Sequence, residues 1–177
     1  QATGTTSTQA LTITVDDAQS GAAGVNALNA IAAATTGTVT ATISGNSAHL
    51  DGLTATGASA TQAYTITVNN AFTLNQGATI SAATTGSVSF SQALSDAFSN
   101  LVTGGGAGTL VADMNAIVAR AGNVAVTLTD APLAMDADAV TDMNALLAAT
   151  TGTVTATVNG NSADLDGLTS DAASNAT

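Results

Sequence analysis

Cysteine, glutamate, lysine and tryptophan are missing from this 177-residue chain, and arginine occurs once, as Arg120. Without cysteine there are neither disulfides nor thiolate metal sites. Aromatic residues make up only 2%, so burial rests on Ala, Val, Leu and Ile. Such side chains contribute at most about 1.5–3 kcal/mol each, which favours a flat, extended core. The 12 acidic residues are all Asp and leave a net charge of -11. That charge repels phosphate backbones and anionic lipid, disfavouring nucleic acid and electrostatic membrane docking. With almost no Lys or Arg, trypsin-like cleavage is confined to Arg120, an advantage for an exported protein. No apolar run reaches the roughly 18–20 residues of a membrane span. Gln1 opens without a basic segment or apolar targeting stretch, so the sequence reads as a processed product or a piece of something larger.

What is present is repetition. "TTGTVTATISGNSAHLDGLT" (Thr35 to Thr54) returns as "TTGTVTATVNGNSADLDGLT" (Thr150 to Thr169), altered only at Ile43/Val158, Ser44/Asn159 and His49/Asp164. A catalytic site is needed once per domain, whereas a stacking unit is needed many times. Six segments alternate apolar and hydroxyl residues with the period of a strand that buries one face. They are Leu11–Val15, Thr38–Ile43, Tyr64–Val68, Ser87–Phe90, Val124–Leu128 and Thr153–Val158. Their last residues are 28, 25, 22, 38 and 30 positions apart, too far for hairpins.

Helical periodicity fills several gaps. Val25, Leu28, Ile31 and Ala32 share one face before Gly37, and Val140, Met143, Leu146 and Leu147 share another before Gly152. The longest gap holds two further pieces, around Leu94, Phe98 and Leu101 and around Val111, Met114 and Val118, divided by "TGGGAG" (Thr103 to Gly108). Leu50 to Ala63 is too rich in Gly and Thr for a helix and reads as a loop held by Leu50 and Leu53. Strand, helical crossover, strand implies parallel pairing. The expected fold is therefore α/β: a repeat β/α solenoid, one parallel sheet with helices over one face, in a single repeat domain of residues 1–177 with an irregular insertion at 91–123. A compact α/β domain with the same layers is the alternative.

No constellation argues for catalysis. His49, the one imidazole, stands where the second copy has Asp164, and reads as a solvated loop residue. Arg120 reads as serving helix-terminal carbonyls. "TGGGAG" lacks the spacing and the lysine of a phosphate loop. Calcium is the cofactor for which candidate ligands exist. "SADLDG" (Ser162 to Gly167) overlaps the opening of an oxygen-ligand loop through Asp164 and Asp166, and its twin "SAHLDG" retains Asp51. The competing reading is a helix start in which Ser47 or Ser162 caps backbone donors. Asp16, Asp17 and Asp130 follow strands, as do Asn69, Asn70, Asn159 and Asn161, and would form an Asx ladder along one edge, held by turn hydrogen bonds or by calcium. Opposite the core, Thr12, Thr14, Thr38, Thr40, Thr42, Thr65, Thr67, Thr153, Thr155 and Thr157, with Ser87, Ser89 and Thr127, would line a hydroxyl face. Such a face resembles the threonine arrays of ice-binding solenoids. It is also what an ordinary solvated or subunit-facing strand surface contains.

"LNAIAAATTGTVTATISGNSAHLDGL" resembles the Ala/Thr-rich tandem repeats of very large secreted or surface proteins of cyanobacteria and marine proteobacteria. The similarity covers Val25 to Gly52 and Val140 to Gly167. It implies a non-enzymatic structural module at the cell surface or outside the cell, in a filament, surface layer or adhesin. It also implies a neighbourhood of haemolysin-type calcium repeats, whose nonapeptide is missing here. The alternative is a module binding ice or glycan through the threonine face. A hydrolase using Asp residues ranks below both.

The ends carry one more expectation. "TQALTITV" (Thr8 to Val15) matches "TQAYTITV" (Thr61 to Val68), and aligning Gly167 with Gly52 places Thr177 opposite Gln62 and so opposite Gln9. The chain stops at the phase where its own first strand begins. This predicts head-to-tail stacking with other copies of itself, in a homopolymer or a tandem array.

Overall fold

The computed structural model describes residues 10–54 and 62–169. The chain divides into two compact units: one takes the described residues up to Phe72 with Gln76–Ser91, the other takes Thr73–Asn75 and the chain from Gln92 onward. The first contains β1 (Ile13–Thr14), β2 (Gln19–Ser20), α1 (Gly21–Ala33), β3 (Val39–Gly45), α2 (Ser47–Leu50), β4 (Ala63–Val68), most of α3 (Leu74–Ala82) and β5 (Val88–Phe90). The second contains β6 (Leu94–Asp96), α4 (Phe98–Leu101), α5 (Ala112–Val118), β7 (Val126–Leu128), β8 (Leu133–Met135), α6 (Ala137–Ala149), β9 (Val154–Thr155), β10 (Val158–Gly160) and α7 (Ser162–Leu165). The fold is mixed α/β with parallel sheets and helices, as strand-helix alternation implied.

Strands lie side by side in chain order. The first unit runs β1-β3-β4-β5, with β2 also on β3; the second holds β6-β7-β9 and a separate pair, β8 and β10. The expected single sheet is thus three sheets among the described residues. Each unit interrupts a strand, and in the second unit the interruption separates two sheets. Ile13 and Thr14 pair with Val39 and Thr40, and Gln19 and Ser20 pair with Ile43 and Ser44, so Val15–Ala18 bulge opposite only two residues of β3. In the second unit Thr129–Pro132 separate β7 from β8, and the facing strand breaks into β9 and β10. Pro132 has no ladder donor, and Asp130 turns its carboxylate to the Phe98 amide instead of continuing a strand.

Strand pleating puts Val39, Ala41 and Ile43 of β3 and Tyr64, Ile66 and Val68 of β4 in the core, with the intervening Thr residues outward. Val25, Leu28 and Ala32 of α1 cover β3. In the second unit Val126 and Leu128 of β7 are buried, as are Met114 and Ile117 of α5 and Val140, Met143 and Leu146 of α6. One expectation changes, and one helix carried no expectation. Leu94, read as helical, lies in β6 opposite Val126, because the Asp96 carboxylate caps the Ala97 amide and holds Asn100, ending the strand and starting α4 two residues later. Helix α3 carried no sequence signal: Gly77, Thr79 and Ser81 are poor helix formers, and burial of Ala78 and Ile80 selects it. Of Leu50 to Ala63, Leu50 ends α2 and both Leu50 and Leu53 are buried, while residues 55–61 lie outside the described residues.

Candidate functional site

One contact recurs in three places, each at an Ala-Thr-Thr-Gly sequence that follows a helix. The Thr35 hydroxyl donates to the Leu11 oxygen at 2.7 Å, and accepts from the Leu11 and Gly37 amides at 2.9 Å each. Thr84 does the same with Tyr64, donating at 2.7 Å and accepting from Tyr64 and Gly86 at 2.8 Å each. Thr150 donates to Val124 at 2.6 Å and accepts from Gly152 at 3.0 Å. All three threonines are buried. The following glycine is required by close approach: a Cβ at Gly37, Gly86 or Gly152 would strike the backbone oxygen of Leu11, Tyr64 or Val124. These hydroxyls tie the entries to β3, β5 and β9 to the start of the neighbouring β1, β4 and β7. Sequence reading took "TTG" as a helix stop and missed this role; its threefold recurrence was the available signal.

A second recurring contact runs along the other end of the strands. The Asn70 side chain, two residues beyond β4, accepts from the Ser47 amide at 2.7 Å; Asp130, two residues beyond β7, accepts from the Phe98 amide. Asx residues after β4 and β7 therefore cap the start of the helix that follows the neighbouring strand, β3 or β6. The expected serine caps are corrected: Asn161 caps α7 by accepting from Asp164 N at 2.9 Å, and Ser47 and Ser162 sit one position inside their helices. There the Ser47 hydroxyl donates to Ala71 O at 3.1 Å.

The candidate calcium ligands are spread through the chain. Asp164 holds the Asn161 amide, and Asp166 is the first residue past α7; Asp51 is the first residue past α2 and accepts from Gln76 at 3.4 Å. Asp16 and Asp17 lie exposed between β1 and β2, and Asp17 accepts from Gln19 at 2.8 Å. Among the described residues no three His, Cys, Asp or Glu side chains group closely enough to hold a metal ion. His49 is exposed on α2, and Arg120 lies just past α5.

None of the ten face threonines is buried. In the first unit Thr14 is opposite Thr40, Thr42 opposite Thr65, and Ser20, Ser44, Thr67 and Ser89 form one row across four strands. Thr40 then faces Ala63, interrupting the lattice. In the second unit Ser95, Thr127 and Thr155 form a row.

Sequence reading passed over Asp142. It is buried within α6 and accepts from the Gly106 and Gly108 amides at 3.1 and 2.7 Å. The "TGGGAG" segment reaches it through positive φ at Gly104, Gly105, Gly106 and Gly108, so these amides serve an internal carboxylate. Beside them is an open cavity of about 260 Å³ lined by Phe98, Val102, Asp136, Asp138 and Asp142. The Asp-x-Asp-x-x-x-Asp spacing at 136–142 was its trace in the sequence.

The two copies of the repeated stretch differ in their surroundings. In both, the preceding helix clamps the end of the stretch in the same way. Asn29 donates to Gly52 O and accepts from Thr54 N; Asn144 does so with Gly167 and Thr169. Both also meet the strands before them in one register: Val39 and Ile43 face Ile13 and Gln19, as Val154 and Val158 face Val126 and Leu133. Yet β3 has β4 on its other side, whereas among the described residues no strand pairs with the far edge of β9 or β10. Accordingly Leu50, Leu53 and Ser47 are buried, and Leu165, Leu168 and Ser162 are not.

No family model, no curated protein and no solved structure matches this chain. Among the described residues no helix is long and apolar enough to cross a membrane.

Proposed function

We propose that the chain is a non-enzymatic structural module of an extracellular bacterial filament, surface layer or adhesin, a repeat solenoid acting as a protease-resistant spacer. The observation that carries this reading is the threefold threonine-glycine contact, which fastens the chain entering β3, β5 and β9 to the backbone at the start of the neighbouring strand. Such a device repeats a mechanical joint, and its parts are positioned for cohesion between coils. The scarcity of cationic residues supports life outside the cell. Calcium at Asp164 and Asp166 belongs to this proposal as a stabilising ion. Electron microscopy of the native material tests the reading: filaments or an ordered layer containing this chain are expected, and dispersed particles at all concentrations oppose it.

The second reading, a module binding ice or glycan, draws on the Ser20, Ser44, Thr67 and Ser89 row. The interruption at Ala63 weighs against it. Thermal hysteresis measurements separate the two, since a structural module shows none.

A further inference from the structure

The edge of β9 and β10 that is unpaired among the described residues has a template inside the same chain. In the first unit, the equivalent stretch in β3 is covered by β4, with Thr42 opposite Thr65, Ile43 opposite Ile66 and Gly45 opposite Val68. Strand β4 belongs to "AYTITV", and β1 to "ALTITV". Their surroundings are opposite. Tyr64 is fully buried, whereas its counterpart Leu11 is 46% exposed, the one large apolar side chain so exposed among the described residues. The backbone is poised too. Ile13 and Val15 donate to Thr38 O and Thr40 O on the β3 side, so in a strand the Thr12 and Thr14 amides point away from it; on β4, the Asn69 amide uses that direction to donate to Gly45 O at 2.9 Å.

We propose that the β1 segment of a second copy of this chain docks in parallel on the β9-β10 edge, with Thr12 opposite Thr157 and Ile13 opposite Val158. This rests on the structural-module reading and deepens it by naming the partner and the register. Leu11 takes the place that Tyr64 has beside β3. Asp17, the counterpart of Asn70, accepts from the Ser162 amide of the preceding copy, the same Asx contact that Asn70 makes with Ser47 and Asp130 with Phe98. Apolar side chains half-exposed at both edges, Ile13 and Val15 on one and Val154 and Val158 on the other, then share one interface. Because the two edges are different surfaces, the contact is heterologous and propagates.

The absence of cysteine provides a clean test. Two single-cysteine chains, Thr12→Cys and Thr157→Cys, are mixed and oxidised. Facing residues on adjacent strands are about 4.8 Å apart, within disulfide reach. The expected main product is the mixed disulfide dimer, with each chain alone remaining monomeric on a denaturing gel. Thr14→Cys with Thr155→Cys, displaced about 13 Å along the strand, gives none. Thr14→Pro in the Thr12→Cys chain removes a donor to the neighbour but none to β3, so the product is lost while the fold persists. Should that chain fail to fold, Asp17→Ala, at an exposed residue, weakens the same product. Filaments in micrographs without the mixed dimer overturn this register and leave the structural reading standing. A mixed dimer without filaments supports the register and overturns the filament reading. Equal yields from in-register and displaced pairs overturn the proposal.

Discussion

The Thr35 hydroxyl and the Leu11 backbone exchange two hydrogen bonds, one in each direction, across 24 residues of sequence. A side chain thereby does what a ladder pair does in a sheet, at a position where the chain is turning into a strand. Thr84 and Tyr64 repeat the exchange in full, and Thr150 repeats the half that reaches Val124.

Thr84→Val keeps the shape and removes the hydroxyl, leaving the buried Tyr64 amide and the Gly86 amide without this partner. Each orphaned buried group costs about 1–3 kcal/mol, so a clear fall in the urea midpoint is expected, with Thr84→Ser close to the parent. A Val variant as stable as the parent would remove the threonine contact from the account of how neighbouring strands cohere.

Gly86→Ala places a methyl against the Tyr64 carbonyl oxygen, which is backbone and has no rotamer in which to yield. Overpacking of this kind costs about 1–3 kcal/mol. Gly122→Ala is the control, since its Cβ meets nothing nearer than Val118 O at 3.8 Å. Calorimetry should show a lower melting temperature for the first and none for the second.

Burial pushes the Tyr64 phenol up to about 12 from its usual 10. The folded state thus holds this proton more tightly than the unfolded chain does. The stability linked to Tyr64 is complete below pH 10 and is lost as pH rises through 10 to 12. The Tyr64 hydroxyl has no hydrogen-bond partner among the described residues. Tyr64→Phe should therefore flatten that alkaline limb and cost little at pH 7, as measured by denaturant unfolding across pH. An unchanged alkaline limb in the Phe variant would assign it to another group.

Calcium binding at Asp164 and Asp166 predicts a melting temperature that falls on chelation, with the difference abolished in Asp166→Ala. Coincident curves with and without chelator would leave Asn161 and Asp164 as a helix cap alone.

Much of the local structure was legible. Alternation of apolar and hydroxyl residues marked β3, β4, β5 and β7, and the spacing of Val25 and Leu28, and of Val140 and Met143, marked α1 and α6. Helix α3 was not, because Gly77 and Thr79 give no periodic signal and its selection depends on what Ile80 packs against. Strands β2, β6 and β8 read QS, LSD and LAM, which lie outside the segments that alternate apolar and hydroxyl residues, so no period marked them. The threonine contacts were hidden for another reason: a hydroxyl at a helix end looks the same whether it meets water or a carbonyl of the preceding strand.

The sequence alone determined which side of each strand is apolar, where helices stop, and that the surface is anionic, because side-chain alternation and net charge are local or additive properties. Tertiary structure decided burial. Val39, Ala41 and Ile43 are sealed while Val154, Ala156 and Val158 are not, although both triplets sit in nearly the same twenty residues. Burial and ladder pairing belong to a strand and its neighbour together, and β3 has β4 beside it where β9 and β10 present an unpaired edge among the described residues.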